Sequence, residues 1–299
     1  MTRRSWVQKL LWRRERRERR SSLFLDALRR LRRNRLAVAG GFLIAAFLFM
    51  ALFAGYISPY DPIKQDWQNV QKPPSSTHLL GTDELGRDLL SRIIHGARIS
   101  MTIGVISVSI GLVLGTVIGL AAGYFRGISD SLLMRLMDIM LAIPYVLLAI
   151  AIVAILGPGL WNTMIAIGIV TIPQFARIVR SSVLEIKEKD YVEAARAIGA
   201  GHSRIMLRHV LINALSPLIV QSTLTIASAI LNAAALGFLG LGAQPPTPEW
   251  GVMLSDGRLL LLVSPWIVTF PGVAIMLSVL GFNMLGDGLR DALDPRMRK

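Results

Sequence analysis

Cysteine is missing from all 299 residues. Its absence excludes a disulfide framework, cysteine-ligated zinc and a cysteine nucleophile, and it selects no compartment for a chain that faces two. Charge is scarce as well. Only 17% of residues are Asp, Glu, Lys or Arg, against about 25% in an ordinary soluble domain. The chain contains no G-x-x-x-x-G-K-[ST] phosphate loop, no H-E-x-x-H and no G-x-S-x-G, so neither nucleotide hydrolysis, zinc proteolysis nor serine esterase chemistry has a constellation to rest on. Histidines number four. His78 and His95 fall on one predicted side of a membrane, His202 and His209 on the other, which prevents a single metal cluster. No catalytic, cofactor-binding or metal-binding residue is expected in this chain.

What the sequence does have is apolar length. Hydrophobic residues make up 53%, and mean hydropathy is +0.53, values that suit a bilayer rather than a soluble core. A helix rising ~1.5 Å per residue needs about 20 apolar residues to cross. Leu36–Ile57 and Ser100–Tyr124 are charge-free and long enough. Residues 139–176 are also free of charge, too long for one crossing, and interrupted by Gly157-Pro158-Gly159. That turn divides them into antiparallel spans at Leu132–Leu156 and Leu160–Val179. The fifth span is Ala214–Leu239, with Pro217 in its first turn, where proline is tolerated. The sixth is Trp266–Leu285. The expected fold is an all-α membrane protein with six transmembrane helices. Its segments are a basic arm (1–35), the first span (36–57), an outer loop (58–99), a five-helix domain (100–288) containing a loop at 181–213, and a tail (289–299).

Six crossings place both termini on one side. Lys64, Lys72, Arg87, Arg92, Arg98 and Arg258 lie on the opposite side, leaving the other twenty-seven of 33 basic residues with the termini. Basic residues are retained inside, so both termini are expected to be cytoplasmic. The arm alone holds fourteen Lys and Arg against Glu15, Glu18 and Asp26. Because an apolar segment follows at once, it reads as an anchor on anionic membrane lipid, not a nucleic-acid-binding arm. Leu25, Leu28 and Leu31 suit a helix lying at the surface over Ser22–Arg35. The first span is longer than a signal-peptide core, and Gly55-Tyr56-Ile57 offers no small-residue cleavage site, so the span is expected to be retained. Gly111, Gly115 and Gly119 recur every four residues, a spacing that lets helices approach closely. Arg135 and Asp138 stand three apart, suited to an ion pair. Uncharged span interiors argue against an ion-coupled secondary carrier, and no facing pair of buried catalytic groups supports an intramembrane enzyme.

The most informative segment follows the fourth span. It reads Asp190-Tyr191-Val192-Glu193-Ala194-Ala195-Arg196-Ala197-Ile198-Gly199. Its alanines, glutamate and arginine favour a helix. Asp190 is placed to cap it, with Glu193 at capping-box distance, and Gly199 to end it in the left-handed conformation. Ala194, Ala195 and Ala197 would leave a small-residue surface for another backbone. A second amphipathic stretch with Arg204 and Arg208 leads into the fifth span.

This run, EAARAIG followed by RIMLRHVL, resembles the EAA loop of ATP-binding-cassette import permeases. The resemblance covers Glu193, Ala194, Ala195 and Gly199, then Arg204, Arg208, His209, Leu211 and Asn213. Ile212 stands where family members often carry proline, which weakens any expected bend there. Gly81-Thr82-Asp83-Glu84-Leu85-Gly86-Arg87-Asp88 before the second span, Phe238–Gly251 after the fifth, and Gly286–Pro295 at the end are similar to the C-type permeases of dipeptide, oligopeptide, glutathione and nickel importers. The resemblance runs from about Arg33 onward. It implies the type I ABC importer fold, one half of a peptide translocation path, a homologous B-type permease partner, two ABC ATPase subunits that carry ATP and Mg, and an extracytoplasmic substrate-binding protein. It assigns ATPase coupling to Asp190, Tyr191, Glu193, Ala194, Ala195, Gly199, Arg204 and Arg208. Glutathione and nickel are the alternative cargoes. The segment from Pro245 to Pro248 is too stiff to continue a helix and either turns back at the outer rim or simply ends the fifth span.

Overall fold

The structure, a computed structural model, describes residues 29–293. The expected lipid-anchoring arm and surface helix lie outside the described residues except for 29–33, which are helical. Asn34 interrupts the chain and caps the first long helix, α1 (Arg35–Ile57), its Oδ1 accepting the Leu36 and Ala37 N–H groups. The other elements are α2 (Leu89–Phe125), α3 (Gly127–Ala142), α4 (Tyr145–Leu156), α5 (Leu160–Ile186), α6 (Asp190–Ala197), α7 (His202–Phe238), α8 (Trp250–Gly257) and α9 (Trp266–Leu293). Helix dominates, and the described residues form no strand.

Five of these helices are long and apolar enough to span a membrane, and α3 with α4 forms a sixth crossing bent by 97°. Helix pairing shows why the bent pair must cross. Gly111 of α2 meets Thr171 of α5, Gly115 meets Phe175, Gly119 meets Val179 and Gly123 meets Val183. Both indices rise together, so α2 and α5 run parallel. The chain between them therefore returns across the full thickness, and α3–α4 is that return. The expected glycine contacts are thus realised, between these two helices. By contrast, α1 and α9 run antiparallel, Gly40 against Gly281 and Ala37 against Gly288. Asn34 Nδ2 reaches Asp291 Oδ2 at 3.5 Å. Both ends of the described chain consequently share one face of the bundle with the ends of α2 and α5.

Several boundaries differ from the sequence expectation. The second span begins at Leu89, not Ser100, because Asp88 caps it: its Oδ2 accepts the Ser91 N–H at 2.8 Å and hydroxyl at 2.6 Å. The third span is not one helix over Leu132–Leu156; Ile143 and Pro144 are extended, and proline cannot donate into the helix behind it. The turn at Gly157–Gly159 forms as expected, with positive φ at both glycines. Pro217 lies well inside continuous α7, just past a π-helical stretch at Ile205–Leu211, and not in a first turn. Asp138 pairs with Arg177 of α5 at 2.6 Å instead of Arg135, since a neighbouring helix brings a guanidinium closer than its own turn does.

The loop before α2 folds over the bundle through buried charge. Asp83 Oδ2 accepts Arg87 Nε at 2.6 Å and lies 3.3 Å from Arg92 Nε, all three side chains being at most 4% exposed. Arg87 also reaches Glu84, and His78 Nδ1 meets Asp88 at 2.8 Å. Gly86 has φ +74, and a Cβ there would collide with the Asp66 carbonyl, so only glycine closes this turn. After α7 the prolines turn the chain back into α8, which packs on α7 and α9. Trp250 is fully buried and donates to the Ile93 carbonyl at 3.1 Å. Glu249 caps α8, accepting the Gly251 and Val252 N–H groups at 2.9 Å each. Burial pushes its carboxyl up to about 7 against those two donors. Burial likewise raises Glu84 and Asp256.

Candidate functional site

The short helix α6 stands at the face shared by the chain ends, between the end of α5 and the start of α7. Its sequence is amphipathic with a narrow apolar side. Val192 is fully buried, in one cluster with Val183, Ile186, Ile205 and Val210, and Ala195 is nearly fully buried on the same side of α6. That cluster joins the main core between α2, α5 and α7, so α6 is seated on the bundle by two side chains.

Its ends follow the sequence in one case and depart from it in the other. The N-cap is Lys189, in extended conformation, and makes no side-chain cap bond. Asp190 is already helical, so the expected capping box does not form. Asp190 and Glu193 instead place two carboxylates in the first turn, where the helix dipole favours them. The C-terminus closes as a Schellman motif. Gly199 has φ +81, its N–H bonds the Arg196 carbonyl at 2.9 Å, and the Ala200 N–H bonds the Ala195 carbonyl at 3.0 Å.

The side turned away from the bundle presents Tyr191, Glu193, Ala194, Ala197 and Ile198, the last 86% exposed. Ala195 does not share that surface, as the sequence reading had it; it points inward. Glu193 makes no ion pair among the described residues. Arg204 and Arg208 are exposed on the rising segment, Arg208 within the π-helical stretch. Asn213 Nδ2 donates to the Tyr191 hydroxyl at 3.3 Å. Charged and exposed apolar groups therefore share the exposed side of α6.

Three contacts missed by sequence reasoning tie this loop to α2. The Tyr124 hydroxyl and His202 Nδ1 lie 2.7 Å apart. The Arg196 guanidinium sits 5.9 Å above the Tyr124 ring. Lys187 Nζ donates to the Gly123 carbonyl at 3.0 Å. Arg180 adds a bidentate pair to Asp130 at 2.6 and 2.8 Å, fastening α5 to α3. None has a local sequence signal, because each pairs residues that lie far apart in the chain.

Comparison with known proteins places this geometry. Residues 115–299 match the family model for the binding-protein-dependent transport system inner membrane component. Residues 22–74 match the N-terminal TM domain of oligopeptide transport permease C. The chain is 54% identical to the di/tripeptide transport system permease protein DppC of Pseudomonas aeruginosa, over 89% of each chain. It is 51% identical to the dipeptide transport system permease protein DppC of Alkalihalophilus pseudofirmus, over 91% of this chain and 90% of that one. Against the glutathione transport system permease protein GsiD of Pectobacterium atrosepticum it is 46% identical over 90% of each. Among solved structures, the inward-facing MetNI methionine ABC transporter superposes with a TM-score of 0.56 at 21% identity, covering 68% of this chain and 97% of that chain, a likeness in fold.

Proposed function

The chain belongs to the binding-protein-dependent transport system inner membrane component family, and from that premise we propose that it forms one half of the translocation path of an ATP-driven importer of di- and oligopeptides. As a permease subunit of such an importer it is a multi-pass inner-membrane protein that works with ATPase and substrate-binding partners. The observation that carries the mechanistic reading is α6: a capped, eight-residue helix, seated by Val192 and Ala195 and otherwise displayed to a partner.

In this reading the face bearing α6 and both chain ends is cytoplasmic, in keeping with its share of Lys and Arg. A homologous B-type permease completes the path. Two ABC ATPases, which bind ATP and Mg, grip α6 and its counterpart; this chain hydrolyses nothing. When the ATPases close, α6 moves as a lever. Tyr124, Lys187 and Arg180 transmit that motion to α2, α5 and α3, and the path opens outward to receive cargo from an extracytoplasmic binding protein. Hydrolysis restores the inward-facing state. Alternating access requires two packings separated by only a few kcal/mol, which differential ATPase binding can bias.

Glutathione is the second reading, favoured by the 46% identity to a glutathione permease. Reconstitution with the partner subunits and binding protein tests both. ATP-dependent uptake of labelled dialanine and trialanine is expected. Uptake of glutathione alone would select the second reading, and ATP-independent transport by this chain alone would overturn both.

A further inference from the structure

We propose that the face of α7 carrying Gln221, Thr225, Ser228 and Asn232, continued by Gln174 of α5, lines the cargo path and hydrogen-bonds the backbone amides of a peptide in transit. The proposal rests on the import reading above and assigns the site that reading leaves open. At 3.6 residues per turn, these four positions of α7 fall within a sector of about 60°. Ser228 and Gln174 are exposed, Gln221 and Asn232 are half-buried, and Thr225 is buried beside Gln221. Gln221 Nε2 lies 3.1 Å from Thr225 Oγ1 and 3.5 Å from Gln174 Oε1, joining the two helices into one polar strip. Leu215, Ile219 and Leu231, also exposed on α7, fall outside that sector.

Polar side chains on an outward face at bilayer depth meet water or another polar surface, because hydrocarbon leaves them unsatisfied. The helix itself meets part of this demand. Asn232 Nδ2 donates to the Ser228 carbonyl at 2.6 Å, and Ser228 Oγ to the Leu224 carbonyl at 3.4 Å. Asn232 Oδ1 still receives no donor among the described residues. The strip is uncharged, so it reads amides and tolerates cargo of either sign. Asn232 also forms the polar edge of a cleft of about 530 Å³ between α7, α8 and α9, walled by Leu231, Phe238, Leu254 and Ile275. A strip for the backbone beside a cleft for an apolar side chain fits a peptide of variable sequence.

The absence of cysteine makes the test direct. Gln221→Cys, Ser228→Cys and Asn232→Cys are each made in the assembled transporter, with Ile219→Cys on the opposite side of α7 as the reference. Each is treated with a charged, membrane-impermeant methanethiosulfonate. Thiolate forms only where water reaches, so labelling on the strip should be about tenfold or more faster than at Ile219→Cys. Saturating dialanine with binding protein and ATP should slow it. Equal rates at all four positions, or labelling abolished by assembly with the partner permease in every nucleotide state, would overturn the proposal, the latter by making the strip a helix-packing seam. Either result with dialanine uptake intact leaves the import reading standing. Fast labelling without peptide protection, in a transporter that takes up no peptide, overturns both.

Discussion

Gly115 of α2 lies directly against Phe175 of α5: a Cβ built on the glycine would stand 2.6 Å from the phenylalanine Cβ. The same contact repeats at Gly119 with Val179 and Gly123 with Val183, each at 2.7 Å. This seam makes α2 and α5 a single parallel beam. Any push delivered to α6 at the end of α5 is therefore delivered to α2.

Closing that seam should loosen the beam. Gly119→Ala overpacks it, at an expected cost of about 1–3 kcal/mol. Thermal unfolding of the purified chain in detergent should shift downward, whereas Gly55→Ala, whose Cβ meets nothing within 4 Å, should not. Equal melting of both variants would remove the beam from the account.

Helix α6, proposed to couple to the ATPase, should fail at its C-terminus as well as on its surface. Gly199→Ala places a Cβ at φ +81, costing roughly 1–2 kcal/mol, and Glu193→Lys reverses charge at the exposed first turn. Both variants should insert normally, and ATP hydrolysis in the assembled transporter should no longer follow cargo uptake. Uptake at the unmodified rate in both would argue that α6 does not couple.

The six-crossing bundle was legible because charge-free runs such as Leu36–Ile57 have no other solvent in which to fold. Gly157, Gly159 and Gly199 announced their turns through conformations other residues resist. What escaped were features set by distant partners. Arg92 and Arg98 are charges that end an apolar run in sequence, but Arg92 is buried beside Asp83, and so α2 begins at Leu89, eleven residues before Ser100. Asp138 chose Arg177 across a helix interface. The π-helical stretch at Ile205–Leu211 has no periodicity that marks it. The proposed coupling residues rest on the family resemblance and not on composition, and the inward turn of Ala195 follows from Val192 choosing which side faces the bundle.

Buried charge holds the outer loop, so removing one partner should release it. Asp83→Ala leaves the Arg87 and Arg92 guanidinium groups without their shared acceptor, a loss on the order of 3–5 kcal/mol. Limited proteolysis from the outer side should then cut within residues 58–88. Unchanged resistance would mean that the loop is held by its apolar contacts alone.

Glu249 predicts a pH dependence. Its carboxyl is raised from 4.5 to about 7, so the folded protein holds this proton more tightly than the unfolded chain. Stability from this group is fully present below about 4.5 and is lost as pH rises through 7. Melting at pH 8 should therefore be lower than at pH 6, and Glu249→Gln should flatten the difference. Identical profiles for the two proteins would contradict the assignment.

The account depends most on where α6 goes. A single cysteine at Ala194, in a chain that has none of its own, gives a clean reporter for cross-linking in the intact membrane complex. The expected product joins this chain to an ATPase subunit, with the thiol reachable only from the cytoplasmic side before assembly. A thiol labelled from outside the cell, or a complete complex in which Ala194→Cys never cross-links to an ATPase, would contradict it.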